Sequence, residues 1–507
     1  MDLRFLLRDW PGPVEETLEE VARRERIFLT GGAVRDLLLG RPVKDLDLTV
    51  LSRAPEDLAR ELAQALGWAL VPLHEDFGVY RVTREGYTLD VTGLRPGART
   101  LEEDLRLRDF TLNALAVALS EALERPPEAW PLIDPCGGLS DLWARRLRAP
   151  DRRNLLEDPL RLLRAYRFFA QDYGEIEPET RGWICETAPE LLRVAAERIA
   201  AELLLVLETP RAAKAFSLMD SDGVFPVLFP ELEEGRGVPQ PDYHHLDVLG
   251  HGLETLHQLE EILREPSRYL PPEIPVEEAL SEKEALWALK LSALFHDAGK
   301  SRTFAPAGTR APRITFYEHE RVSVEMFEAW AERLRLPKSL IKRAARLIRH
   351  HMRPFFLLEL AEEERLTPRA KRRLLRDVPD YPLLFLLALA DALSARGPAS
   401  EPDTARRLSA LFEDLHRFAQ EVLAPAERER LLTGHDLIAL GLKPGPIFRK
   451  ILEAVEEARV EGLVKDREQA LAFVQACLQE KAFFFGDRSE PLKESEGFSR
   501  EVKEQKR

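Results

Sequence analysis

The sequence predicts an α+β protein that is mainly α. Three observations carry that expectation. Strand-like and helix-like stretches alternate only over the first 145 residues. From about Leu155 onward, Leu, Ala and Arg recur at the helical period. Connectors rich in Pro and Gly, at 223–242, 266–275 and 305–313, cut the helical part into blocks. The expected limits are a small mixed-sheet head over 1–145, a helical neck and body over 146–222, and a further helical domain over 240–400. A helical tail over 401–482 and a charged, disordered end over 483–507 complete the chain. No internal repeat is visible.

The head elements follow in chain order. Residues 27–30 read as a buried strand, followed by Gly31-Gly32 and an apolar helix that stops at Gly40. Residues 45–51 alternate and read as a second strand. Residues 79–83 and 88–92 read as a hairpin turning at Glu85-Gly86.

Composition excludes several classes. Acidic residues number 88 against 73 basic ones, and the net charge of -15 excludes a uniformly basic nucleic-acid coat. A local basic stripe remains open. Cys136, Cys185 and Cys477 are too few and too far apart for a disulfide scaffold or a CxxC site. No basic segment leads into an apolar one at the N-terminus. The most apolar stretch, 381–395, is too short to span a bilayer and carries Asp391. A cytoplasmic location without membrane contact is expected.

Two constellations carry chemistry. In the head, Gly31-Gly32 lets backbone amides approach a phosphate at a helix start, and Arg35 stands one turn along. Asp45 and Asp47, two apart on a strand, point to one side. Like charges so close call for a cation, and Mg2+ suits oxygen ligands. Asp90 on a later strand is a third carboxylate. Glu157, Asp158 and Arg161 read as i, i+1 and i+4 on one helix, with Asp158 and Arg161 on a shared face and Arg164 one turn on. A carboxylate and a guanidinium held together present acceptors and donors that can match the edge of cytosine or adenine. In the second constellation, His251, His296, Asp297 and Asp391 combine imidazole and carboxylate ligands, a set that suits Mn, Ni, Mg, Fe or Zn.

The string LTGGAVRDLLLGRPVKDLDLTV resembles the first motif of the class II tRNA nucleotidyltransferase and bacterial poly(A) polymerase family, a branch of the DNA polymerase β-like nucleotidyltransferases. RDFTLNALA (108–116), DPCGGLSDL (134–142), EDPLRLLRAYRF (157–168) and AERIAAEL (196–203) resemble its later motifs, in order. The resemblance implies a nucleotidyltransferase head on a helical neck. It implies that Asp45 and Asp47 bind catalytic Mg2+, and Asp90 is expected to join them as a third catalytic carboxylate. Gly31, Gly32 and Arg35 would hold the triphosphate, Arg108 and Asp109 the ribose, and Asn113 would order the motif. Glu157, Asp158, Arg161 and Arg164 would read the base or hold phosphate. The implied partners are tRNA, CTP and ATP. The implied reaction is addition of nucleotides from CTP, with or without ATP, at the tRNA 3′ end, giving complete CCA-end synthesis or repair or CC only, with a template-free poly(A) polymerase as the alternative.

Two departures bear on this. Leu107 stands where the family usually has Arg before Arg108-Asp109, so one ribose or phosphate contact is expected to be either missing or supplied by Arg106. Residues 96–107 form a short link where many members carry a longer loop. That shortening resembles the CC-adding subgroup, which leaves the terminal adenosine to a separate A-adding enzyme.

FHDAGK (295–300) and YHHLDVLGHGLETL (243–256), with Asp391, resemble the HD phosphohydrolases found in long members of the family. The resemblance implies hydrolysis of phosphate esters at RNA ends. His319, His350 and His351 lie where some HD proteins add ligands, and Lys300 is expected to neutralise a phosphate. LLTGHDLIALGLKPGPIFRKIL (431–452) resembles the family's C-terminal helical motif, with Lys443, Arg449 and Lys450 available to tRNA.

Overall fold

A computed structural model describes residues 3–74, 78–311, 313–424, 430–460 and 462–479. The expected disordered end, 483–507, lies outside the described residues. The chain forms two compact units. One comprises residues 1–269, 276–351 and 386–402, and the other 270–275, 352–385 and 403–507.

The first unit opens with a six-stranded mixed sheet. Its strands are β1 (Ile27–Thr30), β2 (Asp45–Val50), β3 (Ala69–His74), β4 (Val79–Arg84), β5 (Tyr87–Thr92) and β6 (Ala116–Ala118), in the order β3-β4-β5-β2-β1-β6. Alternation sends Leu46 and Leu48 of β2 into the core with Leu29, Val82, Leu89 and Val91. The helices Val14–Arg24, Pro55–Leu66 and Leu119–Glu124 join that core through Leu18, Leu58 and Leu123. The opposite set of β2 side chains, Asp45 and Asp47, is left for the site. The hairpin turns where expected, with Glu85 and Gly86 both at positive φ, the conformation tight two-residue hairpins require.

The neck departs from the continuous helical pattern expected over 155–207. The helix Arg152–Glu157 ends, Asp158 is extended, and a new helix runs Leu160–Ala170. Pro159 is the cause, because a proline disfavours helical geometry in the residue before it. A short strand, Glu175–Ile176, pairs in parallel with Arg146–Leu147, and helices Pro178–Thr187 and Ala196–Leu207 follow.

The same unit continues into helices Val248–Arg264, Lys283–Phe295, His319–Arg333 and Lys338–His350, and the end of Tyr381–Ser394. Gly299 permits their close approach: a Cβ there would stand 2.3 Å from the His319 carbonyl oxygen. A buried pair ties these helices to the neck. Lys290 Nζ donates to Glu260 at 2.7 Å and to the Thr209 carbonyl at 2.6 Å, while Glu260 accepts the Ala212 and Ala213 amides.

The second unit is helical. Its C-terminal part buries Leu432, Leu437, Ile451, Val455 and Val474 together. Thr433 and Asp436 form a reciprocal capping box on the helix Gly434–Ala439. His435 belongs to no potential metal group among the described residues. Among the described residues, no helix is long and apolar enough to cross a membrane.

Candidate functional site

The head site is assembled by strand register. β1 pairs antiparallel with β2, setting Thr30 opposite Asp47, and β2 pairs parallel with β5, setting Asp47 opposite Asp90. Asp45 accepts a hydrogen bond from the Thr88 hydroxyl. Burial pushes the Asp47 carboxyl above its ordinary range, and the charges of Asp90 and Asp45 push the same way against Arg108 and Arg95. A divalent cation relieves that repulsion, so the carboxylates fit Mg2+.

Gly31 closes the site from the other side. Its φ is +71°, and a Cβ there would lie 2.5 Å from Arg108 Nη1 and 3.0 Å from Asp47 Oδ2. The backbone can come this close because the residue is glycine. Arg108 is buried and donates to Thr30 Oγ1 at 3.0 Å.

Four expected nucleotide contacts form one network. Arg35 Nη1 donates to Asn113 Oδ1 at 2.6 Å, and Asn113 Nδ2 donates to Asp109 at 3.0 Å. Arg164 Nε donates to the other Asp109 oxygen at 2.8 Å. Burial would raise the Asp109 carboxyl, but Arg164, Asn113 and the Phe110 amide hold it well below its ordinary range. Arg35 also donates to both oxygens of Asp36, at 2.9 and 2.7 Å, and to the Tyr173 hydroxyl at 3.0 Å. Among the described residues, these bonds engage four of the five guanidinium N–H groups of Arg35.

The residues expected to read the base are placed differently from the expectation. Asp158 and Arg161 do not share a helix face, because the chain breaks at Pro159. Asp158 accepts from Arg198 Nη2 at 3.1 and 3.0 Å. Arg161 donates to the Asn154 carbonyl at 3.0 Å, and Glu157 is exposed at the end of its helix. Arg106, expected to replace a missing arginine, is exposed, and its carbonyl accepts from Asn154.

Sequence reasoning missed Arg81, whose Nε and Nη2 each lie 2.8 Å from an Asp90 oxygen. The hairpin register sets Arg81 opposite Asp90, so the turn at Glu85-Gly86 already contained that pair. It also missed Arg198 and Glu202; Arg167 Nε lies 2.7 Å from Glu202.

The second site gathers His251, His296, Asp297 and Asp391, all buried. His251 Nε2 lies 3.1 Å from Asp391 Oδ1 and 3.5 Å from Asp297 Oδ2, and His296 Nε2 lies 3.3 Å from Asp297 Oδ2. His319 and His351 approach the other Asp297 oxygen at 3.3 and 3.5 Å. Two ligand groups result, His251–His296–Asp297 and Asp297–His319–His351.

The outer nitrogens orient these rings. Nδ1 of His296, His319 and His351 faces the carbonyl oxygens of Ala293, Phe316 and Ile348 at 3.0, 2.9 and 2.8 Å. Donation through Nδ1 leaves each Nε2 lone pair facing inward, as a metal-ligating imidazole requires. His319 and His351 then oppose lone pairs across 3.2 Å, an arrangement that calls for a proton or a metal ion between them. Burial would raise Asp297, but Lys300 and the imidazoles hold it well below its ordinary range. Lys300 Nζ lies 2.6 Å from Asp297 and donates to Gln240 at 2.9 Å.

Residues 27–148 match the Poly A polymerase head domain, 175–235 the family described as "Probable RNA and SrmB- binding site of polymerase A", and 248–396 the HD domain. An A-adding tRNA nucleotidyltransferase of Deinococcus radiodurans is 37% identical over 471 residues, 89% of this chain and 95% of that protein. The chain belongs to the tRNA nucleotidyltransferase family. A CC-adding tRNA nucleotidyltransferase of Thermus thermophilus is 35% identical over 457 residues, 88% of this chain and 92% of its own. The Thermotoga maritima CCA-adding enzyme solved in complex with tRNA matches with a TM-score of 0.60 at 23% identity, covering 94% of this chain and 99% of that one. A CCA-adding enzyme solved with CTP matches with a TM-score of 0.63 at 22% identity. These structures share the fold. Nucleotidyltransferase and HD domains are normally metal-dependent, and this chain presents metal-ligating groups to match.

Proposed function

We propose that the chain transfers nucleoside monophosphates from CTP to the 3′-hydroxyl of tRNA, releasing pyrophosphate and stopping at CC. The observation that carries the transfer reading is the close approach of Asp47, Arg108 and the Gly31 backbone, with Asp45 and Asp90 in register beside them. Asp45 and Asp47 would hold Mg2+, which would supply Lewis-acid activation of a hydroxyl and charge neutralisation for pyrophosphate. The Gly31-Gly32 turn cradles the triphosphate, Arg108 and Asp109 face the ribose, and Arg161 with Arg164 faces the base. Arg35 acts mainly by holding this network. In this reading the head is 1–145, the neck 146–222, the HD domain 240–400 and the RNA-binding tail 401–482, where Lys443, Arg449 and Lys450 are exposed.

The short link supports a single-nucleotide enzyme. Asp104, in the helix Leu101–Arg106, is buried and accepts the Arg95 amide and Arg95 Nη1, both at 2.8 Å. A link pinned this way offers one geometry to the base. The Deinococcus relative favours a second reading, addition of the terminal adenosine to a CC end.

Extension of tRNA transcripts ending at the discriminator base or at CC, with CTP, ATP or both, decides between them. Cytidines added to the first substrate and no adenosine on the second support CC addition, with a separate A-adding enzyme completing the end. Adenosine on the second alone supports the other reading, and long A tracts point to poly(A) synthesis. Asp45→Ala or Asp47→Ala should eliminate transfer while tRNA binding persists; near-wild-type transfer in either would sink the metal assignment.

For the HD domain we propose hydrolysis of 2′,3′-cyclic or 2′-phosphates at RNA ends. His251, His296, Asp297 and Asp391 fit a divalent metal (Mn, Ni, Mg, Fe or Zn), which supplies an activated water when bound. His319 and His351 fit a second ion sharing Asp297. Phosphodiesterase activity with Mn2+ or Ni2+ that disappears in His296→Ala supports this. Equal activity in wild type and variant rejects it.

A further inference from the structure

Tyr173 lies outside every motif of the sequence, yet it joins the two halves of the nucleotide site. It follows the helix Leu160–Ala170, which carries Arg161 and Arg164. Its amide donates to the Phe168 carbonyl at 3.0 Å, which folds it back onto that helix. Its ring meets Phe168 edge-on at 5.6 Å between centroids.

The ring engages two cations of the head. The guanidinium carbons of Arg35 and Arg41 lie 4.0 and 4.2 Å from its centroid. Its hydroxyl donates to Asp36 at 2.7 Å and accepts from Arg35 at 3.0 Å. Arg35 and Asp36 belong to the helix Gly32–Leu38, whose start is the triphosphate turn. The Arg35 guanidinium reaches back over that turn, since a Cβ on Gly32 would stand 3.5 Å from its Nη2.

The neck therefore reaches Arg35, on the helix that follows this turn, by two routes. Near the middle of the neck helix, Arg164 reaches Arg35 through Asp109 and Asn113. Just beyond its end, Tyr173 reaches Arg35 directly. One attachment would let the helix pivot; two fix its direction. Base discrimination depends on that direction, because hydrogen-bond readout fails when donors shift by a fraction of an ångström.

We propose that Tyr173 is a positioning residue for nucleotide selection, holding the base-reading helix in register with the triphosphate turn by clamping Arg35 and Arg41. The proposal rests on the nucleotidyltransferase reading of the head. Cation–π contacts gain strength where water is excluded, and Tyr173 is buried.

The test uses the full chain with Tyr173→Leu and Tyr173→Phe. It measures Kd for CTP and for ATP with magnesium, kcat and KM in tRNA extension, and melting temperature. Tyr173→Leu should raise Kd and KM for the preferred nucleotide about tenfold and narrow the CTP-to-ATP preference. Its kcat at saturation should stay within about threefold of wild type, and Tyr173→Phe, which keeps the ring, should recover most of the affinity. Wild-type affinities and preference in Tyr173→Leu would overturn the proposal, as would a lower melting temperature and kcat with the preference unchanged. If Tyr173→Leu does not fold, Tyr173→Phe combined with Arg41→Met carries the test, and an unchanged CTP-to-ATP ratio overturns it. If wild type binds nucleotide but extends no tRNA, the tRNA reading fails, and the Kd values still decide the role of Tyr173.

Discussion

Replacing Gly31 by alanine perturbs the head site at its tightest point. Gly31 sits at φ +71° and ψ −134°, a region that costs an L side chain about 1–3 kcal/mol. The new Cβ would meet Arg108 Nη1 at 2.5 Å and Asp47 Oδ2 at 3.0 Å. Arg108 is buried and bonded to Thr30, and Asp47 is fixed by its strand, so the turn or the carboxylate must move. A misplacement of about 1 Å at a reacting centre costs about a hundredfold in rate. Single-turnover extension of a tRNA transcript should therefore fall at least about a hundredfold, while the melting temperature falls by only about a few degrees. Gly32→Ala is the control: its Cβ would meet Arg35 at 3.5 Å, ordinary contact, and its loss should stay under about tenfold. Transfer by Gly31→Ala within about threefold of wild type would refute the assignment of this turn to the reacting centre.

Other outcomes follow from the buried charges. Chain dialysed against Mn2+ should retain two ions in the HD domain by elemental analysis, and His351→Ala should retain one fewer; an equal count removes the second ligand group. Lys290→Met should cost about 3–5 kcal/mol in urea unfolding, because it leaves Glu260 buried without its cation; an unchanged midpoint would show that the pair contributes nothing net. Asp109 has a folded-state pKa below its unfolded value, so its contribution is complete above the unfolded pKa of about 4 and is lost as pH falls toward the folded value. Between pH 6 and 3 the wild type should lose more stability than Asp109→Asn, and parallel losses would contradict that sign.

The parts legible in the sequence are those fixed by local spacing. The turn, the Asp45–Asp47 pair and the hairpin each depend on residues a few positions apart, and strand alternation alone aims both carboxylates to one side. The hairpin would also have yielded Arg81 opposite Asp90, had its register been followed outward from Glu85-Gly86. The Asp158–Arg161 pairing failed for a local reason too. Helical spacing does not carry across Pro159, because a proline disfavours helical geometry in the residue before it.

The parts that were not legible are pairings between distant segments. His251 meets Asp391 across 140 positions, and Arg35 meets Tyr173 across 138. A motif resemblance locates the first pair, because His251 lies in a recognisable string and Asp391 completes the implied ligand set. No string marks Tyr173, and nothing in its neighbourhood distinguishes it from an aromatic residue packing a helix end. What sets it apart is the sum of its partners: two guanidiniums on its ring and a carboxylate on its hydroxyl, from one short helix of the head and the residues just after it. Those partners become neighbours only when the neck helix folds onto the head, so the residue's role is a property of the docked arrangement. The same holds for Asp109. The family resemblance implies a ribose contact for it, while its surroundings in the fold, Arg164 on one oxygen and Asn113 on the other, make it the joint between the neck helix Leu160–Ala170 and Arg35 of the head.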